Sequence, residues 1–287
     1  MAKKKHPDKK QKPRGKCIIT LLVLICLLVS FTVWQTNDIT VTDYTYSSAA
    51  LPAAFGGFRI VQLSDIHAKL FGKDQSRLLT LIEKASPDLI VITGDQIDET
   101  VKNLDSITAL FAGAAAIAPV YYVEGNHDRV SGYYKTLRRI AAENGAVLLN
   151  NKTTALKREK DRIKLVGIAD PMHFSGEAAY EEMLGQLLQP LEDQFTILLS
   201  HRPENLALYE RYGADICFTG HAHGGQIALP FIGALYAPNQ GWFPEYTSGM
   251  YQSGDTTMYV SRGLGTVGVP IRLFARPQII CVTLSVS

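Results

Sequence analysis

Eight short apolar runs recur along residues 58–286, and most of them end in a turn bearing Gly, Asp, Asn or His. They read FRIVQL (58–63), DLIVIT (88–93), PVYYVE (119–124), IKLVGIA (163–169), FTILLS (195–200), DICFTG (215–220), TTMYVS (256–261) and IICVTLSV (279–286). Most are rich in β-branched or aromatic residues, and their length suits buried strands. Between several of them, apolar residues recur at threes and fours, over 75–85, 103–116, 132–145 and 178–188, with Gly145 placed to end a helix. Strands alternating with helices predict an α/β layered fold with a substantially parallel sheet.

What stands ahead of these runs is different in kind. Residues 1–16 carry eight Lys or Arg against Asp8 alone, so an arm of about +7 precedes a remainder near −5 in a chain whose net charge is +2. Residues 17–33, CIITLLVLICLLVSFTV, hold no charge, and Trp34 stands at their far edge. Seventeen residues is the lower end for a spanning helix and longer than most signal-peptide apolar cores. No small-x-small site follows closely, which favours an uncleaved anchor over 17–34 rather than a cleaved signal. The cations should stay cytoplasmic and the body lie outside. Residues 35–54 read as a linker or an edge strand, and 55–287 as one folded domain. An acidic body offers no basic groove, so no nucleic-acid partner is expected, and none of the motifs points to a protein partner. The cysteines carry no CxxC pattern and read as buried thiols.

The chemistry collects at the strand ends. Asp65-Ile66-His67 follows the first run, Gly94-Asp95-Gln96-Ile97-Asp98 the second and Gly125-Asn126-His127-Asp128 the third; His201 follows the fifth and Gly220-His221-Ala222-His223 the sixth. In α/β sheets ligands bind outside the carboxyl ends of strands. Each group alone has a plainer reading as a turn or a helix cap. Five of the seven histidines placed this way, mixed with Asp and Asn, point jointly to metal. Nitrogen and carboxylate donors without thiolate suit manganese, iron, zinc or cobalt. The donors exceed the needs of one octahedral ion, so two divalent transition ions sharing a carboxylate fit better.

In this order DxH, GDxxD, GNHD, a later His and GHxH resemble the signature of the calcineurin-like metallophosphoesterases, over roughly residues 55–287. GHAHGGQIALP and YVSRGLGTVGVPIRLFARPQI, behind a membrane-targeting N-terminus, are similar to the bacterial exported or membrane-anchored members of that family. The resemblance implies a β-sandwich flanked by helices (α-β-β-α), preceded by one transmembrane helix. It implies that Asp65, His67 and His223 hold a first metal, Asn126, His201 and His221 a second, and that Asp95 bridges them. Manganese is the first expectation for both.

On the same basis His127 faces the substrate, with Asp128 orienting it, and a hydroxide activated by the two metals attacks phosphorus in line. No GxSxG elbow or P-loop stands in the chain to suggest another route. Asp98 reads as a second-layer partner or a helix cap. Arg129 reads as a phosphate contact or a surface cation. Arg262 or Arg272 could meet a phosphate or lipid headgroup, or simply belong to a segment closing the sheet edge. The function implied is hydrolysis of a phosphomonoester, phosphodiester or pyrophosphate bond of a small-molecule, lipid-linked or cell-envelope substrate at the bacterial cell membrane. The rivals are a non-catalytic scaffold on the same fold, a nuclease and a protein phosphatase.

Overall fold

A computed structural model describes residues 14–189 and 194–287, so most of the basic arm expected at 1–16 lies outside the described residues. Helix α1 (Arg14–Asn37) opens the described chain. Strand β1 (Thr40–Ser48) follows, then β2 (Arg59–Leu63), α2 (Ser76–Lys84), β3 (Leu89–Thr93), α3 (Asp105–Ile117), β4 (Val120–Val123), α4 (Asn126–Val130), α5 (Tyr134–Glu143) and β5 (Ala146–Leu148). The second half holds β6 (Lys152–Arg158), β7 (Asp161–Gly167), α6 (Glu177–Leu188), β8 (Thr196–Leu199), α7 (Leu206–Arg211) and β9 (Ile216–Thr219). Two small hairpins follow, β10 (Ala228–Leu229) with β11 (Gly233–Ala234), and β12 (Tyr236–Ala237) with β13 (Gly241–Trp242). The chain closes with β14 (Gly249–Ser253), β15 (Thr256–Val260) and β16 (Gln278–Val286).

The strands form two six-stranded mixed sheets, in the orders β1-β16-β2-β3-β4-β5 and β14-β15-β9-β8-β7-β6. Strands β2 to β5 run parallel, as do β7, β8, β9 and β15. The period-two alternation of side chains sorts each run into two layers. In the first sheet Ile60, Leu89, Val91 and Val282 face the second sheet, meeting Leu165, Ile197, Leu199 and Phe218. Their neighbours Val61, Ile90, Ile92 and Cys281 face the other way, onto Leu78 of α2, Ile107 and Phe111 of α3 and Leu137 of α5. The outer face of the second sheet packs Val166, Leu198, Cys217 and Met258 against Tyr180 and Leu184 of α6 and Tyr209 of α7. Helix, sheet, sheet, helix is therefore the layer order, an α/β layered fold as the strand and helix pattern predicts and in the order the family resemblance implies.

Three features depart from that pattern. The last strand, β16, does not simply end the chain at an edge; it inserts between β1 and β2, parallel to the first and antiparallel to the second. Residues 126–130, which the Gly-Asn pair marks as a turn, wind into α4. The hairpins between β9 and β14 were not among the predicted strands.

Helix α1 is apolar on every face, and its residues 18–30 are exposed. At 1.5 Å per residue its 24 residues span about 36 Å. It is long and apolar enough to cross a membrane. Its C-terminal turn is tied to the body rather than hanging free: Arg272 N donates to Thr36 Oγ1 at 3.0 Å and Phe274 N to Gln35 Oε1 at 3.0 Å.

Candidate metal centre

The carboxyl ends of β2, β3, β4, β8 and β9 lie along one edge of the sandwich, and their following residues are held together by backbone bonds. Asp65 N donates to Gly94 O at 2.9 Å, His67 N to Asp95 O at 3.1 Å and Gly220 N to His201 O at 3.1 Å. The result is two groups of ligand atoms with one member in common. Asp65, His67, Asp95 and His223 present one atom each within 4.8 Å of one another, and so do Asp95, His201 and His221. Asp95 Oδ2 stands 3.1 Å from His201 Nε2 and 4.0 Å from His67 Nε2. His223 Nε2 is 3.3 Å from Asp65 Oδ1.

The donor set fits metal on an observation independent of any family pattern. His67 Nε2, Asp95 Oδ2 and Asn126 Oδ1 are buried and lack a hydrogen bond of good geometry. Buried polar atoms are almost always satisfied, and leaving one unpaired costs about 1–3 kcal/mol. His67 and Asp95 belong to the ligand groups and Asn126 follows the neighbouring strand end, and buried atoms left this way call for cations. The opposite ring nitrogens are already engaged, which fixes the metal-facing atom. His67 Nδ1 meets Asp98 Oδ2 at 3.1 Å, His201 Nδ1 meets Thr93 O at 2.7 Å, and His221 Nε2 meets Asn239 Oδ1 at 2.8 Å. The carboxylate behind His67 and the carbonyl behind His201 set the tautomers of those two rings.

Electrostatics prepare these rings in two ways. Burial holds His221 neutral, well below the usual range, with His201 and Arg202 adding to it; burial, then His67 and Arg272, does the same for His223. Neutral imidazole is the ligating form. For His201 burial acts against the charge, but Asp95 outweighs it and lifts the pKa to about 10. Burial likewise opposes charge on Asp95, yet His201 and its other histidine neighbours hold that carboxyl well below its ordinary value. The metal-free chain thus keeps a His201–Asp95 ion pair whose proton a metal must displace. Manganese loading at pH 7 should release about one proton for this group, and affinity should rise as pH climbs toward 10. Calorimetry in two buffers of different ionisation enthalpy reads the proton directly; identical heats would refute the displaced pair.

The backbone at these positions is unusual. Asp65, His67, Asp95, His221 and His223 all have φ between 46° and 66°. Non-glycine residues in this region cost about 1–3 kcal/mol each, and such strain concentrates at functional sites. In the GHAHGG turn it is not glycine that supplies the freedom to splay two imidazoles. The histidines themselves take the left-handed conformation, at φ 66° and 53°. Gly220 is needed for close approach: a Cβ there would stand 2.0 Å from Ser64 Oγ and 2.4 Å from Asp65 Oδ2.

Several expectations for the surrounding residues need correction. Asp128 does not orient His127; its buried carboxylate accepts from Asp95 N and Gly125 N at 2.9 Å and from Ile97 N at 3.1 Å. It therefore clamps the β3 and β4 turns to each other. Glu99 is the group facing His127, with Oε2 3.1 Å from Nδ1. His127 itself sits at the rim, its ring 5.3 Å from that of His67. Asp98, whose carboxyl is pulled to about 2 chiefly by its bond to His67, is a partner of that ligand rather than a helix cap.

Arg272 is completely buried, donating to Gly265 O, His223 O and Ala275 O, so it braces the His223 turn and cannot meet a headgroup. Arg262 is partly buried, and its Nη2 donates to Thr40 Oγ1 at 2.8 Å. Arg129 is exposed and bonded to His173 Nδ1 at 3.0 Å.

The sequence reading missed Arg202, Asp170 and Asn239. Arg202, directly after His201, is 5% exposed and approaches His221 Nε2 to 2.9 Å. Its Nη2 donates to Asp170 Oδ1 at 3.1 Å, and Nη1 donates to Asn239. A cation immediately after a strand-end histidine was the available signal. Beside it a cleft of about 670 Å³ opens, lined by Met172, Tyr180, Arg202, Glu204, Arg211 and Asn239 among others.

Two groups of nitrogen and oxygen donors that share a carboxylate, at the strand ends of a layered sandwich, define a dinuclear metal-dependent hydrolase. Residues 58–225 match the calcineurin-like phosphoesterase family, and the chain belongs to it. It is 36% identical over 258 residues to the uncharacterized metallophosphoesterase YkuE of Bacillus subtilis, covering 87% of each chain. It is 26% identical to phosphodiesterase YaeI of Escherichia coli, over 77% of this chain and 80% of that one. Among solved structures, TT1561 of Thermus thermophilus shares the fold at a TM-score of 0.50 and 15% identity, over 72% of this chain and 90% of that one.

Proposed function

We propose that the chain is a membrane-tethered phosphoesterase that binds two divalent ions, manganese first among them, and hydrolyses a phosphodiester of a small-molecule or lipid-linked substrate. The observation that carries this reading is Asp95, which belongs to both ligand groups. In this reading Asp65, His67 and His223 serve one ion, Asn126, His201 and His221 the other, and Asp95 both. Phosphomonoesters and pyrophosphates are the neighbouring substrate classes; the diester is preferred because relative YaeI is named a phosphodiesterase. The basic arm ahead of α1 supports a cytoplasmic N-terminus with the domain on the opposite side.

The chemistry such a centre supplies is activation of water and neutralisation of charge developing on phosphoryl oxygens. The chain's own residues do the rest. His127, at the rim and backed by Glu99, is placed to bond a phosphoryl oxygen and hand a proton to the leaving oxygen. Arg202 fixes the His221 ring through its neighbours and supplies positive charge at the mouth of the cleft. The cleft beside it accommodates the organic part of the ester.

The test uses full-length protein in detergent. With manganese it should cleave a bis-aryl phosphodiester and carry about two ions per chain; chelation should abolish turnover and readdition restore it. A protein that holds two ions yet cleaves no mono-, di- or pyrophosphate ester would point instead to a scaffold on this fold.

A further inference from the structure

We infer that the two small hairpins at 228–242, with the turns flanking them, form a second membrane contact that seats the domain against the bilayer surface beside α1. This inference rests on the reading of α1 as an anchor. The first observation is compositional: residues 224–244 contain no Asp, Glu, Lys, Arg or His, and neither do residues 263–271. The second is exposure. Phe231 is fully exposed, Trp242 is 72% and Phe243 69% exposed, and Ile232, Val269 and Phe274 are exposed as well. Apolar side chains scattered singly on a surface are ordinary, but here all of these except Phe274 fall within two uncharged segments.

Those segments are neighbours in space, and both lie at the end of α1. Ile227 pairs with Leu273, and Ala228 N donates to Leu273 O at 2.9 Å while Leu273 N donates to Gln226 O at 2.9 Å. Residues 272 and 274, on either side of that pair, hold Thr36 and Gln35 of α1 by the bonds given above. The rings of Phe274 and Phe31 are 5.7 Å apart. Phe31 stands three residues before Trp34, about 4.5 Å along the helix toward its apolar middle. Trp34, with the Arg276 guanidinium 4.6 Å over its ring, is the kind of residue that marks a bilayer interface. A side chain packed on Phe31 is therefore already at the level of the acyl boundary, and the hairpins hydrogen-bonded to its strand must lie against the same surface.

Charge supports lipid over a protein partner as the occupant. The patch offers aromatic and aliphatic side chains with Tyr236 and Trp242 in edge contact at 5.8 Å, the composition of an interfacial belt. It also continues directly from an apolar helix. Its consequence for the site is one of placement. The hairpins follow His223 at once, and Arg272 ties the His223 turn to the strand that holds α1. The metal centre is thus set close to the lipid surface, where a phosphate ester carried by a lipid could reach it.

The chain holds two tryptophans, so Trp34→Phe leaves Trp242 as the sole reporter. Full-length W34F is reconstituted in phosphatidylcholine vesicles with plain or acyl-brominated lipid. Trp242 emission should be quenched in the brominated vesicles, and the added changes F231S, I232S and F243S should remove the quenching while leaving turnover of a soluble bis-aryl phosphodiester in detergent unchanged. Two failures are distinguishable. If alkaline carbonate releases the chain from the vesicles, α1 is no anchor and the docking goes with it. If the chain resists carbonate but Trp242 emission is equal in both lipids, the anchor stands and the hairpin contact is overturned.

Discussion

Asp95→Ala should remove both ions and lower turnover by at least about 1000-fold, well beyond the 10–100-fold typical of changes one layer out from a metal. The reason is geometric. Every other donor belongs to one ligand group, whereas Asp95 belongs to both. Its second oxygen also accepts the backbone N–H of His127 at 2.9 Å, so the same change loosens the turn that presents Asn126. Asp98→Asn provides the graded comparison. Among the ligand-group residues that carboxylate touches Nδ1 of His67, while its other oxygen accepts from Thr100 N at 2.8 Å and Thr100 Oγ1 at 2.6 Å, and its replacement should cost about 10–100-fold in activity or affinity with one ion weakened and the other retained. Elemental analysis and turnover together read the difference. An Asp95→Ala protein that still carried two ions would show that the carboxylate is not shared.

The second large effect is expected at Gly94→Ala, a change that adds one methyl group. Gly94 has φ +95°, and a Cβ there would stand 2.3 Å from His201 Nδ1 and 3.0 Å from Gly125 Cα. The imidazole cannot yield without giving up its 2.7 Å bond to Thr93 O and swinging Nε2 away from Asp95. Strained backbone and overpacking together should cost roughly 3 kcal/mol, a fall in Tm of about 5–10 °C, with the second ion lost. Gly132→Ala separates the two contributions. Its φ is +80°, but nothing lies within 4 Å of the added carbon, so backbone strain alone should cost about 1–2 kcal/mol and metal content should be unchanged. Equal losses for the two variants, by thermal denaturation and elemental analysis, would rule out contact with His201 as the cause.

Legibility in the sequence followed the range of the interactions. The strands around residues 60, 90, 121, 197 and 217 could be read because side-chain pattern and length are local properties. So could the polar groups after them, because a strand fixes where its next residue emerges. Asp128 was misread because adjacency in sequence says nothing about direction: His127 and Asp128 are neighbours on α4, yet the carboxylate turns inward to three backbone N–H groups. Arg272 stood open between a phosphate or headgroup contact and a segment closing the sheet edge, because a guanidinium with no acid near it in sequence looks solvated. Its acceptors are carbonyl oxygens at residues 223, 265 and 275, the first of them brought in across 49 residues by the fold. Arg202 escaped notice for the same reason, its partners standing at positions 170 and 239.

By itself the sequence determined the α/β class, the edge at which the chemistry gathers and the residue types that make it a metal site, because strand periodicity and strand-end position are set within a few residues. The tertiary structure decided which donor is shared between the two ligand groups, which acid clamps and which one partners a histidine of those groups, and where α1 meets the domain. Those assignments depend on atoms brought to within about 3 Å across intervals of 30 to more than 200 residues, a distance at which hydrogen bonds and coordination discriminate and at which local pattern carries no information.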